Sequence, residues 1–182
     1  MSSTINILNQ NIDINIESLN LQGSSIKNNI QLENLKLLPS LRHLNMTWSN
    51  LNDDGFQIIS SLTNLEILDL DGTEISNNGL IHLTKLKKLK ELRLKDNPQI
   101  EDKAINYIAQ LEQLALLHIG NTSITINGLK RLQNLRNIET IILGGKNEQR
   151  LPTEQVFLFS KSLPNCEIIF QGTGIRNGSL EG

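Results

Sequence analysis

The sequence predicts an α/β solenoid in which a short strand, a bend and a short helix recur along the chain. Two observations favour this fold class. The segment LEILDLDGTEI, which begins at Leu65, returns in five further copies at intervals of 24 or 25 residues. Within each interval, apolar residues first alternate and then recur every third or fourth position, which is the change from strand to helix periodicity.

The composition agrees with a single domain built from a repeated motif. The 182 residues include 32 Leu, 24 Ile and 23 Asn, and only 3% are aromatic, so we expect an aliphatic core. Lys and Arg number 17 against 19 Asp and Glu, which gives a formal charge of −2. That balance argues against a generally basic protein that binds nucleic acid or a membrane surface.

The strand half of each repeat follows the pattern L-x-x-L-x-L-x-x-(N/C)-x-L. Its six copies begin at Ile16, Leu41, Leu65, Leu89, Leu114 and Ile138. The Asn/Cys position is filled by Ser24, Ser49, Thr73, Asn97 and Thr122. We expect these hydroxyl and amide groups to hydrogen-bond backbone atoms of the neighbouring loop.

The helix half carries apolar residues three positions apart, as in Phe56, Ile59 and Leu62. A small residue precedes each apolar set, at Gly55, Gly79, Ala104 and Gly128. Candidate helix N-caps lie just upstream, at Asn52 or Asp53, Ser76, Asp102 and Thr125.

These motifs resemble the leucine-rich repeat proteins of the ribonuclease-inhibitor-like type, most specifically in TEISNNGLIHLTKL and TSITINGLKRLQNL. The resemblance covers about residues 14–170. It implies a right-handed leucine-rich-repeat solenoid, with a parallel concave sheet and helices on the convex side. It also implies a binding surface for another protein. Similar short repeat chains occur among effectors that bacteria deliver into host cells.

We expect one domain over residues 1–170. It would comprise an N-terminal capping strand at 1–15, six repeats over about 16–162 and a capping strand at 163–170. The Gly-rich residues 171–182 predict a flexible tail. The single cysteine, Cys166, is expected in the core. No secretory signal is visible, so a cytoplasmic location is predicted, or a host cytosol if the chain is a bacterial effector.

The candidate partner-binding residues occupy motif positions 3, 5, 7 and 8, which point away from the core when positions 1, 4 and 6 point inward. They are His43, Asn45, Trp48, Ile67, Asp69, Asp71, Glu91, Arg93, Lys95, Leu116, His118 and Ile142. Three alternatives remain open. Trp48 folds back over Met46 or the N-terminal cap, the aliphatics are scattered surface residues, or the two aspartates pair with Arg93 and Lys95 across strands.

The function these features favour is a monomeric protein that binds another protein through its concave face and regulates or inhibits it by steric occlusion. The alternative is an adaptor that recruits a partner, for example a secreted effector engaging a host protein. A weaker alternative is nucleic-acid or phosphate binding through the basic run Lys85–Lys95. That run is interrupted by acidic residues and lacks an aromatic series for base stacking.

The sequence offers little for catalysis, so we expect no enzyme, cofactor or metal, and no membrane association. His43 and His118 lie three repeats apart, too far to share one zinc ion. Gly144-Gly145-Lys146 lacks the spacing of a phosphate-binding P-loop. Asn52-Asp53-Asp54-Gly55 resembles part of a calcium loop, but it aligns with the ordinary bend before a helix in the next repeat.

Overall fold

The computed structural model describes residues 3–144 and 151–181, which fold into a stack of strand-and-helix repeats closed by a hairpin at each end. Its strands are β1 Thr4–Ile7, β2 Gln10–Asp13, β3 Ser18–Asn20, β4 His43–Asn45, β5 Ile67–Asp69, β6 Glu91–Arg93, β7 Leu116–His118, β8 Thr140–Ile142, β9 Glu167–Phe170, β10 Thr173–Arg176 and β11 Ser179–Glu181. Its α-helices are α1 Asp53–Ile59, α2 Asp102–Ile108, α3 Ile126–Leu129 and α4 Thr153–Ser160. Three 3₁₀ helices span Asn29–Leu37, Gly79–Lys85 and Lys130–Asn134.

Strands β3 to β9 lie side by side in sequence order, and each pairs in parallel with the next. The register places equivalent motif positions opposite each other, so that Leu44 faces Leu68 and Leu68 faces Leu92. A parallel sheet of three- and four-residue strands, each connected to the next by a helix, confirms the predicted fold class.

The core lies between the sheet and the helices. Motif positions 1, 4 and 6 are buried in the central repeats, as at Leu65, Leu68 and Leu70. Phe56 and Ile59 of α1 are buried from the opposite side. Because one repeat exposes this apolar surface until the next repeat covers it, stability depends on contacts between neighbours.

Buried polar side chains close the bend after each central strand. The hydroxyls of Ser49, Thr73 and Thr122 donate to backbone carbonyls three residues earlier, at 2.6, 3.0 and 2.8 Å. Asn97 donates from Nδ2 to the carbonyls of Leu70 and Leu94, at 2.8 and 2.9 Å. The expected bond to backbone atoms of the neighbouring loop is therefore present at Asn97, which bridges to the preceding repeat, while the three hydroxyls bond within their own bends.

A second set of polar contacts joins neighbouring repeats at the start of their helices. Asp53 accepts hydrogen bonds from the backbone N–H and the hydroxyl of Ser76, at 2.7 and 2.6 Å. Asp102 makes the same pair of contacts with Thr125, both at 2.7 Å. Asp102 is therefore not an N-cap, contrary to the expectation, because its carboxylate reaches across to the next repeat. Asn52 and Thr125 do cap their helices.

The N-terminal end differs from the single capping strand expected at residues 1–15. Strands β1 and β2 form an antiparallel hairpin in a separate two-stranded sheet. Leu8 and Asn9 turn it, with φ of 47° and 65°. The Asn34 amide donates to the Asn6 carbonyl at 2.8 Å, and Ile7 is fully buried, so the hairpin covers the first helix of the stack.

The C-terminal end differs from the flexible tail expected at residues 171–182, because it forms a hairpin. There β9, β10 and β11 form an antiparallel extension of the main sheet. Its two turns are Gln171-Gly172 and Asn177-Gly178, in which all four residues have positive φ. Two-residue turns of this kind match the twist of a hairpin. Ile175 of β10 is buried, and α4 packs against that strand.

None of the helices in the described part of the chain has the length and apolar character needed to span a membrane.

Candidate functional site

The outward side of β3 to β8 and of the bends that follow these strands is called the sheet face below. All twelve candidate residues lie on it. Nine are strand residues, and Trp48, Asp71 and Lys95 are in the bends. The strand register sets His43 beside Ile67 and Asp69 beside Arg93, as the motif columns predict. The sequence thus predicted their placement, while their role in binding stays a prediction.

A chain of polar contacts crosses the first four strands of the sheet face. Ser18 Oγ lies 3.3 Å from His43 Nδ1, and His43 Nε2 lies 3.2 Å from Asp69 Oδ2. Arg93 Nε lies 3.1 Å from Asp69 Oδ1, and its Nη2 lies 3.6 Å from Glu91 Oε2. The predicted cross-strand pair of Asp69 and Arg93 therefore forms. These contacts hold the central side chains in place before any partner arrives.

Asp71 behaves differently from Asp69. Its carboxylate accepts a hydrogen bond from the Lys95 backbone N–H at 2.7 Å. The Lys95 ammonium instead lies 3.6 Å from Asp96, so the expected side-chain pair of Asp71 and Lys95 is wrong. Burial raises the pKa of Asp71 to about 6, and the negative charge of nearby Asp69 adds to the rise.

The residues at motif position 8 share an unusual backbone conformation and are called the bend column. Gly23, Gly72, Asp96 and Asn121 have φ between 57° and 67°. Gly, Asn and Asp tolerate this left-handed region. Trp48 occupies the same place with φ of 57°. For a residue with a bulky side chain, this conformation costs roughly 1–2 kcal/mol.

The indole of Trp48 lies against the bend of the next repeat. A Cβ added to Gly72 would stand 2.2 Å from Trp48 Cε3, so only glycine leaves room for the ring. The Trp48 backbone N–H donates to the Asp71 carbonyl at 2.8 Å, which fixes the two bends side by side. Trp48 is 57% exposed. The alternative that it folds back over Met46 or the N-terminal cap is therefore wrong.

The aliphatic side chains on the sheet face are less open than Trp48. Ile67, Leu116 and Ile142 are half-buried between their strand neighbours. The other large apolar side chains that are well exposed lie elsewhere in the described chain. They are Ile30, Leu37, Ile81 and Leu158 in helical segments, and Leu180 in the C-terminal hairpin. Trp48 is thus the prominent apolar group of the sheet face.

The far end of the sheet face is closed by backbone. A Cβ added to Gly120 would stand 1.8 Å from the Gly144 carbonyl oxygen, so the bends after β7 and β8 are in close contact. Burial lowers the pKa of His118, and the positive charges of Arg93 and Lys95 lower it further. Gly145 and Lys146 lie outside the described residues.

The basic run Lys85–Lys95 does not form a strip. Lys85 reaches Ser60 at 3.3 Å and Lys88 reaches Asn64 at 2.7 Å, both in the preceding repeat. Lys90 pairs with Glu66 at 2.6 Å at the start of the strand. Arg93 and Lys95 pair with acidic residues on the sheet face. Because these cations point to different parts of the surface and contact acidic or polar groups, the geometry gives little support to phosphate binding.

The other sequence motifs have structural roles. Both Asp53 carboxylate oxygens accept hydrogen bonds from Ser76, so the calcium-like segment is an inter-repeat contact. No cluster of three or more potential metal ligands occurs among residues 3–144 and 151–181. Cys166 is buried, and burial raises the pKa of its thiol to about 12, which keeps it protonated.

Three residues of the site are not among the candidates predicted from the sequence. Ser18 extends the polar chain, Gly72 seats the indole and Asp96 pairs with Lys95. The types found in the bend column, mostly Gly, Asp and Asn, were a usable signal for a left-handed backbone. That signal would have shown that Trp48 stands where a residue tolerant of positive φ is expected.

The strand register, the leucine columns and the bend column together make up a leucine-rich-repeat fold. A family model described as a leucine-rich repeat matches residues 38–57 and 61–84. Leucine-rich repeat domains generally mediate protein–protein interaction. A search of curated proteins finds no match.

Two solved structures from Listeria monocytogenes share the fold. An internalin (inlF) is 16% identical with a TM-score of 0.59, and the match covers 88% of this chain and 50% of that protein. Internalin C2 (inlC2) is 24% identical with a TM-score of 0.59, covering 85% of this chain and 70% of that one. The chain thus spans half the length of the first. At these identities the likeness shows the fold.

Proposed function

We propose that the protein binds another protein through the sheet face, with Trp48 at the centre of the contact, and acts without catalysis. The observation that carries this proposal is the combination of exposure and backbone conformation at Trp48. The side chain is 57% exposed and its φ is 57°. Residues with a strained backbone of this kind cluster at functional sites.

A tryptophan at this place is costly for folding and favourable for binding. Glycine, aspartate or asparagine fills the same bend position in other repeats, where the left-handed backbone is tolerated. Binding hot spots are enriched in Trp, which supplies a large apolar contact area near the centre of an interface. A partner that covers the indole would recover the free energy of burying it.

The rest of the sheet face supports a rigid docking surface. The contacts of His43, Asp69 and Arg93 fix these side chains across neighbouring strands. A surface ordered in advance loses little conformational entropy on binding. We infer that the protein regulates or inhibits its partner by covering part of it. An adaptor role, and a location in the cytoplasm or a host cytosol, stay predictions.

The test compares two exposed apolar side chains on opposite sides of the molecule. Partners of the wild-type protein are identified by affinity purification and mass spectrometry, and the Kd of the purified pair is measured by calorimetry. Trp48→Ala is expected to weaken binding at least tenfold, equivalent to about 1.4 kcal/mol. Leu158→Ala in α4 is the matched control, since Leu158 is 58% exposed.

The control should leave the Kd unchanged. If Leu158→Ala weakens binding and Trp48→Ala does not, the helix side is the interface and the proposal is wrong. Thermal unfolding of both variants shows whether either change acts through stability.

A further inference from the structure

We infer that Trp48 and Asp71 form a subsite that takes the cationic side chain of a lysine or arginine presented by the partner. The inference rests on the proposed function and names the chemistry of the partner at the centre of the sheet face.

The two side chains belong to adjacent bends. The Trp48 N–H donates to the Asp71 carbonyl at 2.8 Å, and the indole lies on Gly72, the residue after Asp71. An exposed aromatic ring and a half-buried carboxylate therefore belong to adjacent bends, and the carboxylate accepts a hydrogen bond from the Lys95 N–H of the following repeat. Indole is the best side-chain π system for binding a cation, within about 6 Å of the ring centre.

Asp71 differs from the other acids of the central sheet face in its ion pairing. Asp69 contacts His43 and Arg93, and Asp96 contacts Lys95. Glu91 also lies near Arg93. Within residues 3–144 and 151–181, no ion pair joins Asp71 to a cation, and the hydrogen bond it accepts comes from the Lys95 backbone. Burial raises the pKa of Asp71 to about 6, although the Lys95 N–H and the charges of Arg93 and Lys95 lower it, so a cation in direct contact would stabilise the charged form further.

Other partner groups fit this place less well. An apolar side chain over Trp48 would remove water from the Asp71 carboxylate and give it no partner. An acidic side chain would meet Asp69 and Asp71 together, and like charges at close range are repulsive. A lysine or arginine satisfies both the ring and the carboxylate.

The test uses Trp48 as its own reporter, because it is the single tryptophan of the chain. Tryptophan fluorescence and the NMR signal of the indole N–H are followed during titration with blocked tripeptides of glycine around a central lysine, arginine, norleucine or glutamate. The lysine and arginine peptides are expected to give saturable changes at millimolar concentration. The norleucine peptide, which keeps the aliphatic chain without the charge, should bind at least about fivefold more weakly.

Two variants and one matched control separate the contribution of the carboxylate from that of the ring. Asp71→Asn keeps the hydrogen-bond acceptor and removes the charge, and it should weaken the lysine peptide about fivefold. Gly72→Ala should displace the indole and weaken the same peptide. Gly23→Ala is its matched control, because Gly23 has φ of 67° and nothing within 4 Å of the added Cβ.

The pH dependence gives a further check. The groups that influence the Asp71 charge are Asp69, Arg93 and Lys95. As the pH falls from about 7.5 through about 6, Asp71 becomes protonated, so the affinity of the wild type for the lysine peptide should fall more than the affinity of Asp71→Asn does. An equal pH response in the two proteins would overturn the role of Asp71.

Equal affinity for all four peptides, or no saturable change up to roughly 50 mM, would overturn the subsite. The proposed function is judged separately, by the effect of Trp48→Ala on the protein partner. If that variant loses the partner while the peptides show no charge preference, the sheet face binds the partner and the cation subsite is wrong.

Discussion

The middle of the stack and its two ends cover their apolar faces in different ways. From β4 to β7, each strand pairs in parallel with the next, and each apolar face is covered by a neighbouring repeat. At both ends, antiparallel hairpins cover the last apolar faces with Ile7 and Ile175. The middle therefore depends on contacts between residues about 24 positions apart, and the ends depend on local pairing.

Both regions nevertheless use the same backbone device. Residues with positive φ turn the chain in the bend column and in the end hairpins, at Gly72 and at Gly172 for example. In the middle, such a bend is also supported by the buried side chain of Asn97, which bonds to the preceding repeat. In the hairpins, the turn residues and the strand pairing contribute more of the stability. Three sets of substitutions test that contrast between the middle and the ends.

The largest effect is expected for Asn97→Ala in the middle of the stack. Asn97 is fully buried, donates to the carbonyls of Leu70 and Leu94, and accepts from the Thr73 N–H at 3.0 Å. The change leaves several buried backbone groups without hydrogen-bond partners, so the free energy of unfolding should fall by about 3 kcal/mol. Urea denaturation measures the loss.

Thr122→Val is the comparison for that variant, because it removes one hydroxyl bond to a carbonyl. It should cost about 1 kcal/mol. Equal losses for the two variants would show that the bridge between repeats made by Asn97 adds nothing.

An intermediate effect is expected for Gly172→Ala in the C-terminal hairpin. The residue has φ of 73° and open space around the added Cβ, so backbone strain alone should cost roughly 1–2 kcal/mol. Hydrogen exchange should accelerate in β10 and β11 while the amides of β4 to β7 keep their protection, because ends open before the middle. Uniform acceleration along the sheet would show that the hairpin and the repeats unfold as one unit.

The smallest effect is a difference between two variants at Trp48. Both Trp48→Gly and Trp48→Ala remove the contact of the indole with Gly72. Because φ at this residue is 57°, the glycine variant should be more stable than the alanine variant by about 1 kcal/mol, the reverse of the usual order. Thermal unfolding measures the difference. Alanine as the more stable variant would contradict a strained backbone at Trp48.

The middle repeats were largely predictable because leucine spacing fixes the register. Once Leu65 and Leu89 are aligned, Asp69 must lie beside Arg93, and the structure has this pair. The spacing does not specify which atoms meet. Lys95 also stands beside Asp71, yet its side chain turns to Asp96, which depends on bend geometry that strand alternation does not describe.

The hairpins at the two ends were not predicted from the sequence, and the reason differs between them. Glycine content after residue 170 predicts mobility, yet Gln171-Gly172 and Asn177-Gly178 each separate two short segments that pair as strands. An Asn-Gly pair between such segments is a strong hairpin signal. At the N-terminus, Leu8 takes a positive φ, a residue type that gives no such signal. Composition alone could not have located that turn.

The polar contacts at the helix starts alternate in kind along the stack. Asp53 and Asp102, two repeats apart, each hold the hydroxyl residue of the following repeat, while Asn29 and Asn77 contact Asn52 and the Glu101 backbone. Gly79 and Gly128 make room for the two carboxylates, since a Cβ at either would stand within 2.4 Å of one. Removing one repeat would set an aspartate against a neighbour shaped for asparagine. The natural unit for lengthening or shortening this molecule is therefore a pair of repeats.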